Sequence, residues 1–355
     1  MNTRVSKLAP FAILVTASVL SPACGDDTGT TGGTDPDAQY RADVTEGMKT
    51  SISNDLAAWH DAAVALQTAA PEHAWDATTD AAAITNMKTA WRTARAHYEH
   101  IEGAIAPLFP DLDFATDARY DDYLAELPAG DDNLFDGEGV TGMHGVERIL
   151  YSDQIPASVV TFESGIDGYV AASYPTTDAE AQSFKNELTQ RLIDDIANLQ
   201  GQWDDAGTQI DLPLAFQGLV DLMNEQQEKV NLAATGAEES RYSQLTLADL
   251  RTNLDGTTTA YELFSPWVKS KDGGEDIDSK IRTGFEALNT TYSSVSGEAI
   301  PQPPATWNPQ DPSAEDLATP FGKLYSAVHE AVDPETDGSV VVEMGEAAEA
   351  LGITP

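Results

Sequence analysis

The stretch Ile84–Leu108, ITNMKTAWRTARAHYEHIEGAIAPL, decides the fold class of this chain. Its apolar residues recur at steps of three and four over about six turns, which is typical of one buried face of a long α-helix. They are Ile84, Met87, Trp91, Ala94, Tyr98, Ile101, Ile105 and Leu108. Pro110 is predicted to end this helix, and the acidic, Gly-rich residues 111–139 are predicted to form a long loop with short helical turns.

The same periodicity extends through most of the 355-residue chain. Apolar steps of three and four predict further helices, whereas alternating strand patterns are nearly absent. The predicted helical segments are residues 44–66, 177–203, 212–234, 246–268, 277–293 and 314–331, with a short, weak pattern around 342–351. The sequence therefore predicts an all-α protein of two antiparallel helical bundles, residues 40–205 and 206–355. A diverged duplication is one interpretation of these two similar halves.

Residues 1–24 are predicted to be a lipoprotein signal peptide. A short basic segment precedes the apolar run Leu8–Leu20, which has secretory length. Cys24 is the only cysteine and follows a small residue, as in a bacterial lipobox, although Ser21 stands where Leu is usual. Lipidation of Cys24 would anchor an exported protein to a membrane, facing the periplasm or the cell surface, with residues 25–39 as a flexible linker. The alternative is ordinary signal-peptide cleavage with an incidental cysteine.

The composition is strongly acidic, with 19 Lys and Arg against 59 Asp and Glu and a formal net charge of −40. Such a surface repels phosphate backbones, which argues against nucleic acid as a partner. It attracts cations instead, either diffusely or at defined sites. A solvated acidic surface is the simpler interpretation, and the charge by itself identifies no site.

Polar residues border the buried face of the helix at 84–108. Successive residues of an α-helix are rotated by about 100° around its axis. Measured around that axis from Tyr98, Glu102 lies about 40°, Arg95 about 60° and Glu99 about 100° away. Carboxylates are rarely placed beside a core unless they are paired or coordinate a cation. These residues therefore predict one wall of a buried polar site. A purely structural Arg95–Glu102 pair is the alternative.

A second, shorter helix, TGMHGVERIL at 141–150, carries the motif G-x-H-x-x-E. Relative to Met143, Glu147 lies about 40° and His144 about 100° to one side of the apolar face. Two helices of this kind can build a mixed nitrogen and oxygen site, which suits iron, manganese or zinc. The carboxylates that would complete or cap it are Asp111, Asp113 and Asp117. Each of these residues taken singly is more simply a hydrogen-bonded packing residue or a solvent-facing acid.

Familiar catalytic patterns are incomplete in this chain. His329 and Glu330 begin like the zinc-protease motif H-E-x-x-H, but Asp333 stands at the second histidine position. His144 and Glu147 begin like H-x-x-E-H, but an arginine follows. The sequence contains no P-loop or G-x-S-x-G motif. The incomplete catalytic motifs favour a metal-binding protein over an enzyme.

Two segments of the first half together resemble a known family. RAHYEHIEGAIAPLFPDLDFATDAR at 95–119 and TGMHGVERILYS at 141–152 carry a Y-E-x-I-E helix, a D-L-D…D-x-R segment and the G-x-H-x-x-E helix. This combination resembles the imelysin-like family, and within it the EfeO/EfeM-type iron-uptake lipoproteins. ESRYS at 239–243, with Asn253 and Gly256, resembles the family's second-half motif. The departures are Gln244, where the family often has His, and Asp255, where Glu is usual.

The resemblance implies an all-helical protein with a metal site lined chiefly by its first half. The implied metal-binding residues are Glu99, Glu102, Asp113, His144 and Glu147, and the supporting residues are Arg95, Tyr98, Asp117, Arg241 and Asp249. A helix-capping pair with Thr246 is the simpler role for Asp249. The implied metal is iron, with zinc or manganese as alternatives, and the implied partner is an envelope iron transporter. A metallopeptidase using His144 and Glu147 is the alternative function.

Overall fold

The computed structural model describes residues 35–127, 130–206, 209–233 and 235–353. These residues form helices and connecting segments, and no β-strand occurs among them, so the predicted all-α class is confirmed. The predicted signal peptide with Cys24, and most of the predicted linker, lie outside the described residues. Within those residues, no helix has the length and apolar character needed to cross a membrane.

The first half begins with two long helices and continues with shorter ones. Residues 38 and 39, which the sequence predicts as linker, already lie in the first helix. A π-helical turn at Phe184–Leu188 leads into the last helix of this half. In chain order the helices are α1 (Ala38–Ala69), α2 (Ala81–Ile105), α3 (Pro110–Asp117), α4 (Tyr120–Glu126), α5 (Gly142–Leu150), α6 (Ala157–Glu163), α7 (Asp178–Ser183) and α8 (Thr189–Ala206).

The second half contains three long helices followed by shorter ones. They are α9 (Leu212–Asn231), α10 (Thr246–Lys269), α11 (Gly274–Ser294), α12 (Ala314–Leu317), α13 (Pro320–Val332) and α14 (Val340–Leu351). Residues 37–355 form one compact unit, and the predicted boundary at 205/206 falls within it, at the end of α8.

Helix α2 packs against helices of both halves, α1 and α5 of the first and α9 and α10 of the second. Its predicted apolar face is buried, and the Tyr98 ring lies 5.1 Å from the ring of Trp59 on α1. On the α10 side the two backbones approach closely at Gly256, where a Cβ atom would lie 1.9 Å from the carbonyl oxygen of His100. Only glycine permits this approach, which brings the preceding turn of α10 against the polar residues of α2.

One prediction about the connection after α2 is wrong. Asp111, Asp113 and Asp117 do not lie in a loop, since residues 110–117 form helix α3. Pro110 occupies the first turn, where its fixed φ and missing N–H are tolerated. The positive end of the helix dipole stabilises the negative charges of the acidic residues in that turn. Helix α2 already ends at Ile105, so Pro110 does not end it but begins α3, which fixes the orientation of the three carboxylates.

Candidate metal centre

The polar residues on α2 lie at the interior wall of a charged cluster. Arg95, Glu99 and Glu102 are 2%, 0% and 5% exposed, so the offset predicted from the sequence corresponds to burial. Arg95 forms ion pairs with Glu99 one turn later and with Asp117 on α3, and its guanidinium also donates to Glu239 Oε1 at 2.6 Å. Burial raises the pKa of Glu102 well above its usual range, with Lys229 acting in the opposite direction.

Helix α3 presents two carboxylates to the same cluster. The Tyr98 hydroxyl donates a 2.6 Å hydrogen bond to Asp113 Oδ1, and Asp117 lies beside Arg95. Burial raises the pKa of both carboxyl groups, and that of Asp117 by a large amount in spite of Arg95. Asp111, on the first turn of α3, is exposed.

Helix α5 presents the predicted motif residues to the cluster. Gly142 has a φ of +71°, and a Cβ there would lie 2.7 Å from the carbonyl oxygen of Thr116, so the glycine of the motif allows α5 to pack against α3. His144 Nδ1 lies 2.8 Å from Glu147 Oε2, and the Ser243 backbone N–H donates to Glu147 Oε1 at 2.8 Å. Both oxygens of Glu147 are therefore engaged, one of them in orienting the imidazole.

The second ring nitrogen of His144 is one of the buried polar atoms of the cluster without a hydrogen-bond partner. His144 is 1% exposed, yet its Nε2 has no hydrogen-bond partner among the described residues. It lies 3.5 Å from Asp117 Oδ1 and 4.0 Å from Glu239 Oε1. Burial, assisted by Arg95, lowers the pKa of His144, which favours the neutral form of the ring. With the proton on Nδ1 facing Glu147, a lone pair on Nε2 points toward two carboxylates.

Those three residues have the spacing of a cation site. Asp117, His144 and Glu239 each place one ligand atom within 4.8 Å of the other two. An imidazole nitrogen with carboxylate oxygens suits iron, manganese or zinc. A histidine that donates its other N–H to a carboxylate is the usual arrangement of a metal-bound imidazole. The donor set therefore fits a divalent transition-metal ion.

The second half contributes Lys229, which the sequence did not single out, and Asn253, which belongs to the family's second-half motif. Lys229 on α9 is 1% exposed, and its ammonium lies 2.9 Å from Asn253 Oδ1 on α10. Asn253 Nδ2 donates to Glu102 Oε2 at 2.8 Å, from the turn of α10 that precedes Gly256. A sequence signal for Lys229 exists, since it follows the buried Leu222 and Gln226 at helical spacing and would lie on the buried face of α9.

Glu239 occupies the middle of the cluster. It precedes the arginine of the ESRYS segment, between α9 and α10, and was not among the predicted ligands. Burial would raise the pKa of Glu239, but Lys229 and Arg95 hold it well below its usual range. Burial also opposes the charge of Lys229, whose pKa is nevertheless raised well above its usual value by Glu102 and Glu239.

The remaining predicted supporting residues lie at the edge of the cluster. Arg241 Nη1 is 2.8 Å from Asp121 Oδ1. Asp249 accepts a 2.5 Å hydrogen bond from the Ser240 hydroxyl and lies 3.8 Å from Arg95 Nε. The helix-capping interpretation of Asp249 is wrong, because α10 has no side-chain cap and the Thr246 hydroxyl has no hydrogen-bond partner among the described residues.

A cavity of about 610 Å³ gives access to the cluster. Carboxylates dominate its wall, and the cationic side chains of Arg119 and Lys229 are fewer. The acidic lining residues are Glu102, Asp113, Asp117, Asp122, Asp221, Glu225, Glu228 and Glu239. A wall of this charge concentrates cations and repels anions.

Comparison with known proteins connects this geometry to a family. The family model for imelysin matches residues 52–319. The chain is 26% identical over 254 residues to the iron uptake system component EfeM of Pseudomonas syringae pv. syringae strain B728a, covering 68% of this chain and 73% of that protein. It is 27% identical over 213 residues to the iron uptake system component EfeO of Escherichia coli K12, covering 58% of this chain and 44% of EfeO.

Two further likenesses agree with this result. An Efem/EfeO family lipoprotein of Staphylococcus haemolyticus strain JCSC1435 is 29% identical over 206 residues, covering 58% of this chain and 57% of that protein. The chain thus matches only about half the length of this lipoprotein and of EfeO. A crystal structure of an imelysin-like protein from Psychrobacter arcticum 273-4 superposes with a TM-score of 0.53 at 13% identity, covering 89% of this chain and 95% of the other, which shows a shared fold. The chain belongs to the imelysin family.

Proposed function

We propose that this protein is an extracytoplasmic metal-binding protein that captures iron and delivers it to an envelope iron transporter. The ion binds at His144 Nε2, with Asp117 and Glu239 as the carboxylate ligands. Zinc and manganese are the competing ions, because they accept the same nitrogen and oxygen donors. Lipidation of Cys24 would anchor the protein to the membrane.

The observation that carries this proposal is the unpartnered Nε2 of His144. A buried polar atom without a partner is costly, and this one faces two carboxylates beside an acidic cavity. A hydrogen-bonded packing histidine would have both ring nitrogens satisfied. A ligand histidine has one nitrogen held by a carboxylate and the other directed at the ion. In support of this role, Glu147 holds Nδ1 of His144, and Nε2 is directed at Asp117 and Glu239.

The other predicted ligands take different roles in this proposal. Glu147 holds His144 through one oxygen and is itself held by the Ser243 N–H. Glu99 is paired with Arg95, and Glu102 accepts from Asn253. Asp113 is a cavity-wall carboxylate that accepts from Tyr98 and is available to complete the coordination as the ion enters.

The assignment of iron rests on the relatives. EfeM and EfeO are named as components of iron uptake systems, and the Staphylococcus relative is named as a lipoprotein. Their names support both the cargo and the location proposed for this chain. Coordination also predicts release on acidification, since the ligands must be deprotonated to hold the ion.

Substitution of His144 tests the proposal. We expect His144→Ala to weaken Fe(II) binding, measured by anaerobic calorimetry, by more than the roughly 10- to 100-fold typical of losing an outer-shell partner. His73→Ala is the matched control, because that ring is 61% exposed and pairs with Asp80 away from the cavity. Unchanged Fe(II) affinity in folded His144→Ala protein would overturn the assignment.

A metallopeptidase is the competing function. Hydrolysis would require a carboxylate free to act as general base beside the ion, whereas both oxygens of Glu147 are engaged. We expect protein loaded with Fe(II) or Zn²⁺ to bind the ion and cleave no peptide in a mixed peptide library. Cleavage that disappears in both His144→Ala and Glu147→Gln would favour the peptidase instead.

A further inference from the structure

Lys229 is a cation built into the middle of the carboxylate cluster. Its ammonium accepts no hydrogen bond and can only donate, and it is surrounded by oxygens at 2.9–3.5 Å. One is the side-chain carbonyl of Asn253. The others belong to the carboxylates of Glu99, Glu102, Glu225 and Glu239. Lys229 thus has the oxygen surroundings of a bound cation.

The oxygens around Lys229 are close enough to share a metal ion. Glu102, Glu225 and Glu239 each place one oxygen within 4.8 Å of the other two. All three residues line the cavity, as does Lys229, so an ion could reach this position from solvent. Ligand oxygens lie about 2.0–2.2 Å from zinc, so a bound ion would draw these carboxylates inward from the distances that suit an ammonium.

Glu239 connects this position to the site at His144. Its Oε1 lies 2.6 Å from the Arg95 guanidinium and 4.0 Å from His144 Nε2. Its Oε2 lies 3.4 Å from Lys229 Nζ. A carboxylate with one oxygen directed at each of two cation positions has the geometry of a bridging ligand. In this chain one of those two positions is filled by Lys229.

We propose that Lys229 is a tethered cation that occupies a second metal position and thereby limits the cavity to one metal ion. This inference rests on the proposed metal-binding function and concerns its stoichiometry. The physical reason is charge balance, because buried carboxylates need a nearby cation and a lysine side chain supplies it permanently. When Lys229 is replaced with a neutral residue, the carboxylates of Glu102, Glu225 and Glu239 can bind a second metal ion.

The test compares the number of ions bound by wild type and by Lys229→Met. Protein equilibrated with excess Mn²⁺ is dialysed and its metal content measured. We expect the variant to bind one ion more than wild type, and its two Mn²⁺ ions to give an exchange-coupled electron paramagnetic resonance spectrum through Glu239. Lys229→Arg should restore the wild-type number. Lys280→Met, at a partly exposed lysine paired with Asp276 and Glu343, is the matched control.

The outcomes separate this inference from the proposed function. Equal numbers of ions in wild type and Lys229→Met would overturn the role of Lys229 and leave the His144 site intact. A wild type that binds no ion, with a variant that binds one, would overturn the proposed function and support Lys229. The double variant His144→Ala/Lys229→Met should retain one ion, at the Glu102 group.

A second measurement keeps the inference testable if Lys229→Met is unstable. Mn²⁺ should raise the melting temperature of Lys229→Met more than that of wild type, because two ions then stabilise the fold. Wild type itself is also decisive. If it binds two ions and Glu225→Gln binds one, Lys229 does not exclude the second ion and the inference is wrong.

Discussion

Helix α5 contributes to two buried charged clusters whose charge balance differs. On one side, His144 faces Asp117 and Glu239 in a cluster where carboxylates outnumber cations and which opens on the acidic cavity. On the other side, Arg148 donates to Glu163 Oε2 at 3.1 and 3.2 Å. That pair is one cation with one anion, and both residues are 1% exposed.

The surroundings of the Arg148–Glu163 pair also differ from those of His144. The Arg148 guanidinium lies 3.8 Å from the centre of the Tyr120 ring, and the Tyr242 hydroxyl donates to the other oxygen of Glu163. Asp117 and Glu239, the carboxylates that face His144, line the acidic cavity, whereas neither Arg148 nor Glu163 does. A balanced, enclosed pair holds helices together, whereas an acidic cluster in which an unpartnered imidazole nitrogen can offer a lone pair is suited to receive a cation. Arg148 Nη1 also has no hydrogen-bond partner among the described residues, but it is a donor and cannot bind a cation. The same helix therefore has a structural side and a binding side.

The largest effect expected from this comparison is on the structural side. Arg148→Met should lower the free energy of unfolding by about 3–5 kcal/mol, because it leaves the Glu163 carboxylate buried without its cation. Urea denaturation of metal-free protein measures this. Lys88→Met is the control, since Lys88 forms a partly exposed pair with Asp153 and should cost no more than about 1 kcal/mol. The affinity of folded Arg148→Met for Mn²⁺ should be unchanged, and a large loss would mean that the two clusters are not independent.

A smaller effect is expected on the binding side. Glu147→Gln should reduce Mn²⁺ affinity by about 10- to 100-fold, because the amide presents an N–H to His144 Nδ1 and favours the tautomer that protonates Nε2. Titration calorimetry measures the change. Glu138→Gln, at an exposed residue in the loop before α5, tests the loss of charge alone. Equal affinities in the two variants would show that Glu147 does not set the tautomer.

The smallest effect concerns the cavity wall. Removal from water raises the pKa of Glu225 to about 7, with Lys229 acting in the opposite direction. A carboxyl whose folded-state pKa lies above its unfolded value takes up a proton on folding, so its contribution to stability grows as the pH falls between those values. Glutamine mimics the protonated form. Metal-free Glu225→Gln should therefore be more stable than wild type at pH 8, and the difference should shrink toward pH 5.

Unfolding by urea at several pH values measures this difference. Glu286→Gln on the exposed face of α11 removes the same charge away from the cavity and should show no comparable trend. A difference between Glu225→Gln and wild type that stays constant from pH 8 to pH 5 would contradict the prediction. Metal binding should have the opposite pH dependence, weakening as the pH falls, because protons compete with the ion.

The sequence was informative about features that depend only on residues within one helix. The steps of three and four in 84–108 predicted α2, and the angular offset of Glu102 and Arg95 indicated their place beside the core. The same spacing on α9 pointed to burial of Lys229, but a lysine among apolar residues is more often explained by its long stem reaching solvent. The prediction of a long loop with short helical turns at 111–139 did not place α3, because Pro110 was interpreted as the end of a helix although proline is equally favoured in the first turn of one.

By itself, the sequence determined the all-α class, the family motifs and the placement of His144 and Glu147 on one side of the same helix, since residues three or four apart meet on a helix whatever the rest of the chain does. Only the tertiary structure decided which carboxylates surround which cation. Lys229 meets Glu99 across 130 positions of sequence, and Glu239 reaches Arg95 across 144. Among 59 acidic residues, such pairings depend on how helices pack, and no local pattern records that.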